Sequence, residues 1–209
     1  VDQIDPFTER DLIKGSFRNY GAEIKYLNNY KLSNKKGVFV IGGKFYRSRS
    51  TSNQGPGSNG TDPDFNFYFN LFPNYTNQSN YIYPNKNISI FGENIFYINK
   101  KLSVTPGFRF ENILTRSQGS YKQINLDGAG NVIYNHTKYE NRNNKRSFVL
   151  FGIGTSLKPR KEFELYNNIS QNYKSVTFTD ISIINPAYSI NPDISDERGI
   201  TLDLGIRGN

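Results

Sequence analysis

Apolar residues recur at every second position along much of the chain. That is the period of a strand with two unlike faces, not the 3.6-residue period of a helix. The pattern is clearest over residues 102–112. Leu102, Val104, Pro106, Phe108 and Phe110 share one side there, and Ser103, Thr105, Gly107, Arg109 and Glu111 share the other. Pro106 cannot donate to a ladder, so a bulge or local break in pairing is expected at that point. In residues 200–207, Ile200, Leu202, Leu204 and Ile206 oppose Thr201, Asp203, Gly205 and Arg207. In residues 162–173, Phe163, Leu165, Ile169 and Tyr173 oppose Glu162, Glu164, Tyr166, Asn168 and Ser170. Residues 20–30, 38–47 and 149–157 alternate in the same way, with Tyr20, Ala22, Ile24 and Tyr26, then Phe39, Ile41 and Phe45, then Val149, Phe151 and Ile153 on their apolar sides. Residues 87–98 form another strand whose two faces are harder to rank.

Each alternating segment lasts about ten residues, the length a tilted strand needs to cross a bilayer. Strands of water-soluble sheets are usually nearer five or six. The connections sort into two kinds. Residues 33–37, 99–101 and 158–161 are tight and polar, and they alternate with long stretches near 48–86, 113–145 and 174–197. In an up-and-down meander every second connection lies at the same end, so the tight turns gather at one end and the long loops at the other. Outer-membrane barrels have this asymmetry, with short periplasmic turns and long extracellular loops. Within the second long stretch, Asp127-Gly128-Ala129-Gly130-Asn131 predicts the turn of a small hairpin. The expected fold is therefore all-β: an antiparallel up-and-down transmembrane β-barrel segment, partial, with about seven long strands and long extracellular loops.

Composition fits a membrane setting better than a water-soluble one. Only 35% of the residues are hydrophobic, low for a domain with a single core, yet 16 Phe and 15 Tyr are present with no Trp. Aromatic girdles at membrane interfaces account for that combination. The longest useful apolar stretch, residues 148–153, is far too short for a transmembrane helix. A membrane crossing must then use a closed barrel, because lipid offers no partners to open backbone groups. The N-terminal Val1-Asp2-Gln3-Ile4-Asp5 is neither basic nor apolar and does not read as a signal peptide. The absence of Cys removes disulfides, thiolate metal sites and cysteine nucleophiles together. The net charge of +8 is spread along the chain rather than gathered into a basic arm, which argues against nucleic acid as a partner.

Three stretches resemble the TonB-dependent outer-membrane receptors, in particular their ferric citrate and siderophore receptors from Bacteroidetes-like bacteria. They are Val1-Asp2-Gln3-Ile4-Asp5-Pro6-Phe7-Thr8-Glu9-Arg10, residues 102–111, and Asp196-Glu197-Arg198-Gly199 with the following Asp203-Leu204-Gly205-Ile206-Arg207-Gly208. The resemblance implies a cell outer-membrane location and a plug domain inside a 22-stranded barrel. It also implies uptake of a ferric siderophore or ferric citrate, with TonB engaged through a region outside this chain. Residues 1–209 are expected to be part of the barrel domain, without the plug or the C-terminal strands. No resident cofactor is expected, since iron enters only within the transported chelate. The contacting partners are then outer-membrane lipid and the chelate. Uptake of an oligosaccharide or peptide by the same fold is an alternative, and a soluble all-β adhesin or binding module is another.

Candidate ligand contacts follow from this chemistry. Arg47 and Arg49 stand where a strand is expected to enter a long loop, and Arg forks match the carboxylates of an anionic chelate. Arg116 and Arg142 carry the same expectation, and Tyr68 and Tyr81 belong to an aromatic loop series that includes Phe65, Phe67, Phe69 and Tyr83. Arg109, Glu111, Glu162, Glu164, Asp203 and Arg207 are expected on the lumen-facing side, where salt bridges between neighbouring strands are their simplest role. Asn59, Asp62 and Asp64 offer oxygens to a hard cation, but turn formation explains them as well. The lone His136 makes no metal site, and no catalytic constellation is present.

Overall fold

The computed structural model describes residues 8–33, 35–59, 64–175 and 195–208. The described residues form seven strands: β1 (Asp11–Leu32), β2 (Lys35–Pro56), β3 (Ser79–Tyr97), β4 (Leu102–Leu126), β5 (Val132–Arg160), β6 (Phe163–Lys174) and β7 (Glu197–Gly208). They lie in one sheet in sequence order, β1-β2-β3-β4-β5-β6-β7. The β6–β7 ladder is antiparallel and unbroken from Phe163↔Gly208 to Lys174↔Glu197. The β5–β6 ladder runs from Gly152↔Ser170 to Leu157↔Leu165 and shifts register before Arg160↔Phe163. This is the meander that alternating patterns joined by tight turns require.

The three tight connections lie where expected, between Leu32 and Lys35, Tyr97 and Leu102, and Arg160 and Phe163. In the first, Ser33 adopts a left-handed conformation (φ 45°). In the second, Asn99 caps the turn by accepting from the backbone N–H groups of Lys101 and Leu102 at 2.8 and 2.9 Å.

The first five strands are far longer than ten residues, whereas β6 and β7 have 12 each. β1 and β2 have 22 residues each, β3 has 19, β4 has 25 and β5 has 29. A bilayer crossing needs only about ten, so these strands continue well past any membrane. The apolar alternation marks only the crossing part, which is why the sequence pattern stopped short. The stretch near 113–145 is accordingly not a loop. β4 and β5 run to a short turn in which Asp127 accepts hydrogen bonds from the backbone of Ala129 (2.9 Å) and Asn131 (2.7 Å). Gly130 supplies the positive φ (86°) that closes it. β4 also passes through Pro106 without interruption. The stretch near 48–86 is a loop only from the end of β2 to Ser79. Most of the third long connection, with Asn185-Pro186 and Asn191-Pro192, lies outside the described residues, as do the first seven residues of the N-terminal motif and Asp62.

Two compact units divide the chain. The first comprises residues 1–21, 46–86 and 113–145, and the second residues 22–45, 87–112 and 146–209. Neither has an apolar core: among the described residues no hydrophobic side chain is buried. In the second unit Ile24, Ile41, Ile88, Ile90, Phe108, Val149, Phe151, Ile153, Leu165, Ile169, Leu202, Leu204 and Ile206 are all exposed. They occupy alternate strand positions, while Ser89 and Glu111 on the opposite positions are buried. A water-soluble sheet buries one face. Here the apolar face is the bare one and the polar face the covered one, an inversion that belongs to a hydrocarbon surround.

Candidate functional site

The polar face of the second unit is a network of charges and hydrogen bonds. Arg109 pairs with Glu111 two residues along β4, and the Glu111 side chain is only 6% exposed. Glu164 accepts from Ser156 Oγ at 2.6 Å and lies 3.8 Å from Lys158 Nζ and 3.7 Å from an Arg207 guanidinium nitrogen. The Arg207 guanidinium stands 5.4 Å above the Tyr166 ring. The tip of that ring lies over Gly205, where an added Cβ would meet it and push it aside. Asp203 pairs with Asn168 in the β6–β7 ladder. Glu164 and Arg207 thus approach one another across neighbouring strands, Arg109 and Glu111 pair within β4 rather than between strands, and Asp203 lies on the same strand side as Arg207. Glu162 does not join the wall. It lies in the tight turn before β6 and is exposed.

Tyr173 also departs from the expected pattern. Its ring packs on Phe148 at 4.1 Å and its hydroxyl donates to Asp196 Oδ2 at 2.6 Å. The β5–β6 register ends at Gly152↔Ser170, and the N–H of Phe151 donates to the Gln171 side chain. A side chain thus takes the place of the ladder just before Tyr173. Asp196 is held as well by Arg146 Nε at 2.6 Å, with the Arg146 side chain 11% exposed. Arg146 was not singled out from sequence, because its partner is 50 residues away.

An open hollow of about 340 Å³ lies beside this network, with Glu93, Thr105, Gly107, Arg109 and Asn168 in its lining together with the apolar Phe91, Phe108, Leu150 and Phe151. A Cβ at Gly107 would meet Glu93 Cγ at 2.8 Å, so the missing side chain keeps the wall open. Outside the hollow's lining, Asn87 Oδ1, Ser89 Oγ and Glu111 Oε2 are buried without a hydrogen-bond partner among the described residues.

In the first unit, Tyr81 donates its hydroxyl to Glu140 Oε2 at 3.0 Å, and Arg142 reaches Glu140 Oε1 at 3.0 Å. The Tyr81 and Tyr83 rings stack at 5.8 Å with 12° between their planes. Burial, followed by the neighbouring Glu140 carboxylate, pushes the Tyr81 hydroxyl far above its ordinary range, so it remains a donor. Burial also raises the Tyr83 hydroxyl. The loop before β3 folds on itself. Tyr68 donates to Asp64 Oδ2 at 2.5 Å, and that bond holds the Asp64 carboxyl below its usual range. Asp64 is thus committed to Tyr68 and Asn66. Phe67 and Phe69 stack at 5.2 Å over Gly55, where a Cβ would strike Phe69. Tyr75 is raised to about 12, by burial first and by its hydrogen bond to Asp11 second.

Arg47, Arg49 and Arg116 are placed differently from the expectation. The two β2 arginines lie inside the strand rather than at a loop entrance, and alternation sets them on the side of Phe39, Ile41 and Phe45. Arg116 is exposed on the side of β4 opposite the buried Ser117 and opposite Gly119, which faces Tyr81. None of the three shares the Tyr81 side, because an extra strand residue reverses a side chain. Arg142 does share it.

A meander sheet whose apolar face is bare and whose polar face is covered defines the class, an outer-membrane β-barrel protein. The family model for the TonB dependent receptor-like β-barrel matches residues 3–209, and the chain belongs to that family. Its place is the outer membrane, and the family's members are transporters rather than enzymes. Among solved structures, the ferric yersiniabactin uptake receptor FyuA from Yersinia pestis has the same fold, with a TM-score of 0.59 and 13% sequence identity over 94% of this chain. The chain spans 27% of that receptor's length. No curated protein matches the sequence significantly.

Proposed function

We propose that the complete receptor imports an anionic ferric chelate, a ferric citrate or another ferric siderophore, in a TonB-dependent cycle. Family membership and the fold shared with a ferric yersiniabactin receptor support the transport class. The observation that carries the ligand class is the Tyr81–Glu140–Arg142 cluster, in strands that run far past the length a membrane needs. An anionic chelate would exchange the Glu140 partner of Arg142 for its own carboxylates, and the Tyr81 hydroxyl would donate to the same oxygens. Tyr68 does not stay among the proposed contacts, because its loop packs through Phe67 and Phe69 over Gly55, which alternation sets on the side of Arg47 and Arg49. Arg47, Arg49 and Arg116 do not, since they lie on the other side. Iron is cargo in this reading, and TonB acts through a part of the protein outside this chain.

Titration of the full-length receptor tests this, with tyrosine fluorescence quenching as the readout. Ferric citrate or a ferric carboxylate siderophore should quench saturably, and Arg142→Gln should weaken binding by roughly tenfold, the loss of one charge-assisted hydrogen bond. Binding of neutral glycans but of no ferric chelate would replace this reading with its rival, sugar uptake. The flat Tyr81–Tyr83 pair is the observation in that rival's favour.

A further inference from the structure

The side of the first unit that carries Tyr81 is rich in phenols and carries no net charge. Alternation and a few contacts place its residues. Tyr83 lies two residues past Tyr81 on β3. Gly119 faces Tyr81, so Ser117 and Tyr121 share that side on β4. Glu140 bonds to Tyr81, so Lys138 and Arg142 share it on β5. On β2 the side opposite Arg47 and Arg49 carries Ser48, Ser50 and Gln54, and Gln54 donates to Asp11 of β1 at 2.7 Å. Over the described strand segments of this unit, the charged residues on the Tyr81 side are Asp11, Lys138, Glu140 and Arg142. Lys138 and Arg142 balance Asp11 and Glu140.

Such a side suits a ligand with flat faces and little charge. Tyr81 and Tyr83 are half-buried, with parallel rings 5.8 Å apart, and Tyr121 stands near Tyr81. Gly119 leaves the Tyr81 ring room against β4, since an added Cβ would run into it. A further ring extends a parallel stack or meets it edge to face. The phenols themselves do not ligate iron. Burial first, and Glu140 second, keep the Tyr81 and Tyr83 hydroxyls protonated, whereas a metal takes the deprotonated group. These tyrosines therefore touch the organic shell of a chelate rather than its metal. Arg142 can neutralise one carboxylate once Glu140 gives way. A polycarboxylate such as ferric citrate would set its surplus negative charge beside Asp11 and Glu140.

We propose that the transported ligand is a ferric chelate of low net charge whose iron-binding groups carry aromatic rings, and that the Tyr81 side of the first unit recognises it by those rings. The inference rests on the transport reading and narrows it, setting ring-bearing chelates above ferric citrate. The ligand's rings pack on Tyr83 and Tyr121. The Tyr81 hydroxyl and Arg142 hold the chelate's oxygens, and the serine hydroxyls of β2 and β4 supply neutral hydrogen bonds that add no charge.

Calorimetric titration of the full-length receptor with a set of iron complexes tests it. Ferric tris(benzohydroxamate) and ferric tris(acetohydroxamate), each in excess hydroxamic acid, have the same uncharged iron centre and differ in carrying phenyl or methyl groups. Ferric citrate is charged and ringless. The ring-bearing complex should bind about tenfold more tightly than either of the others. Tyr83→Leu should bring it down to the affinity of the acetohydroxamate complex, and Tyr83→Phe should keep the preference. The wild-type ranking carries the test alone should Tyr83→Leu not fold. Equal wild-type binding of the two hydroxamates overturns the proposal, and so does tighter binding of ferric citrate. Ferric uptake still stands in both of those outcomes. Binding of no iron complex at all overturns the transport reading and this proposal with it.

Discussion

Replacing Phe151 with Arg puts a charge at the centre of the apolar face. Phe151 is 61% exposed on β5, between Val149 and Ile153 of the same row. That exposure leaves on the order of 120 Å² of aromatic surface for lipid, about 3 kcal/mol at roughly 25 cal/mol per Å². Removing the ring alone, as in Phe151→Ala, should cost about that amount. An arginine at mid-bilayer height on a barrel's lipid face adds about 2–4 kcal/mol. Phe151→Arg should therefore destabilise by about 5–7 kcal/mol, enough to deplete the folded receptor in the membrane. Asp203→Arg on the polar side should cost less than about 1 kcal/mol, because water reaches that face. Urea unfolding of the receptor in lipid vesicles, read by gel mobility without heating, measures all three. Equal stability of Phe151→Arg and wild type would refute the face assignment. A gain in stability would be worse still for it, since that is how a water-exposed phenylalanine behaves.

Further substitutions address the packing and the site. Arg146→Met strips Asp196 of its most buried partner, so the start of β7 should loosen by about 2 kcal/mol, visible as faster amide exchange at residues 197–201. Gly205→Val drives a side chain into the Tyr166 ring, with an expected cost of about 1–3 kcal/mol that the companion change Tyr166→Ala partly relieves. Asp127→Ala removes the acceptor for the backbone of Ala129 and Asn131, and should make the tip of the β4–β5 hairpin cleavable by protease added to intact cells. Asp127 is also held below its ordinary range by Asn131, so its help to the turn is complete above the unfolded carboxyl's range and fades as pH falls through the lowered folded value. Amide exchange at Ala129 and Asn131 should accordingly show loosening only on the acid side.

Much of the crossing part was legible in the sequence because lipid demands a strict period of two. Leu202, Leu204 and Ile206, or Val149, Phe151 and Ile153, could take no other arrangement without turning a polar residue outward. The tight turns were legible for the same reason, as polar breaks between such rows. The continuations of β2, β4 and β5 were not. Beyond the membrane both faces meet water, so a strand such as residues 113–126 carries no apolar alternation and reads as loop. Arg47 and Arg49 were assigned to a ligand on their residue type and an assumed loop, whereas their side is set by counting from Phe45. The Tyr81–Glu140 contact joins residues 59 apart and appears only once β3, β4 and β5 are aligned. Nothing in the sequence separated Arg142 from the other arginines, and only its strand side sets it beside Glu140.

Spin labels report the two faces most directly, and a chain without cysteine accepts them one at a time. Single cysteines at each position from 149 to 155, labelled in the membrane-embedded receptor, would be tested for collision with oxygen, which concentrates in lipid, and with a water-soluble nickel chelate. Labels at 149, 151, 153 and 155 should favour oxygen and those at 150, 152 and 154 the nickel chelate or neither, in strict alternation. Uniform access to the nickel chelate along the segment, with no period of two, would contradict a hydrocarbon-facing wall.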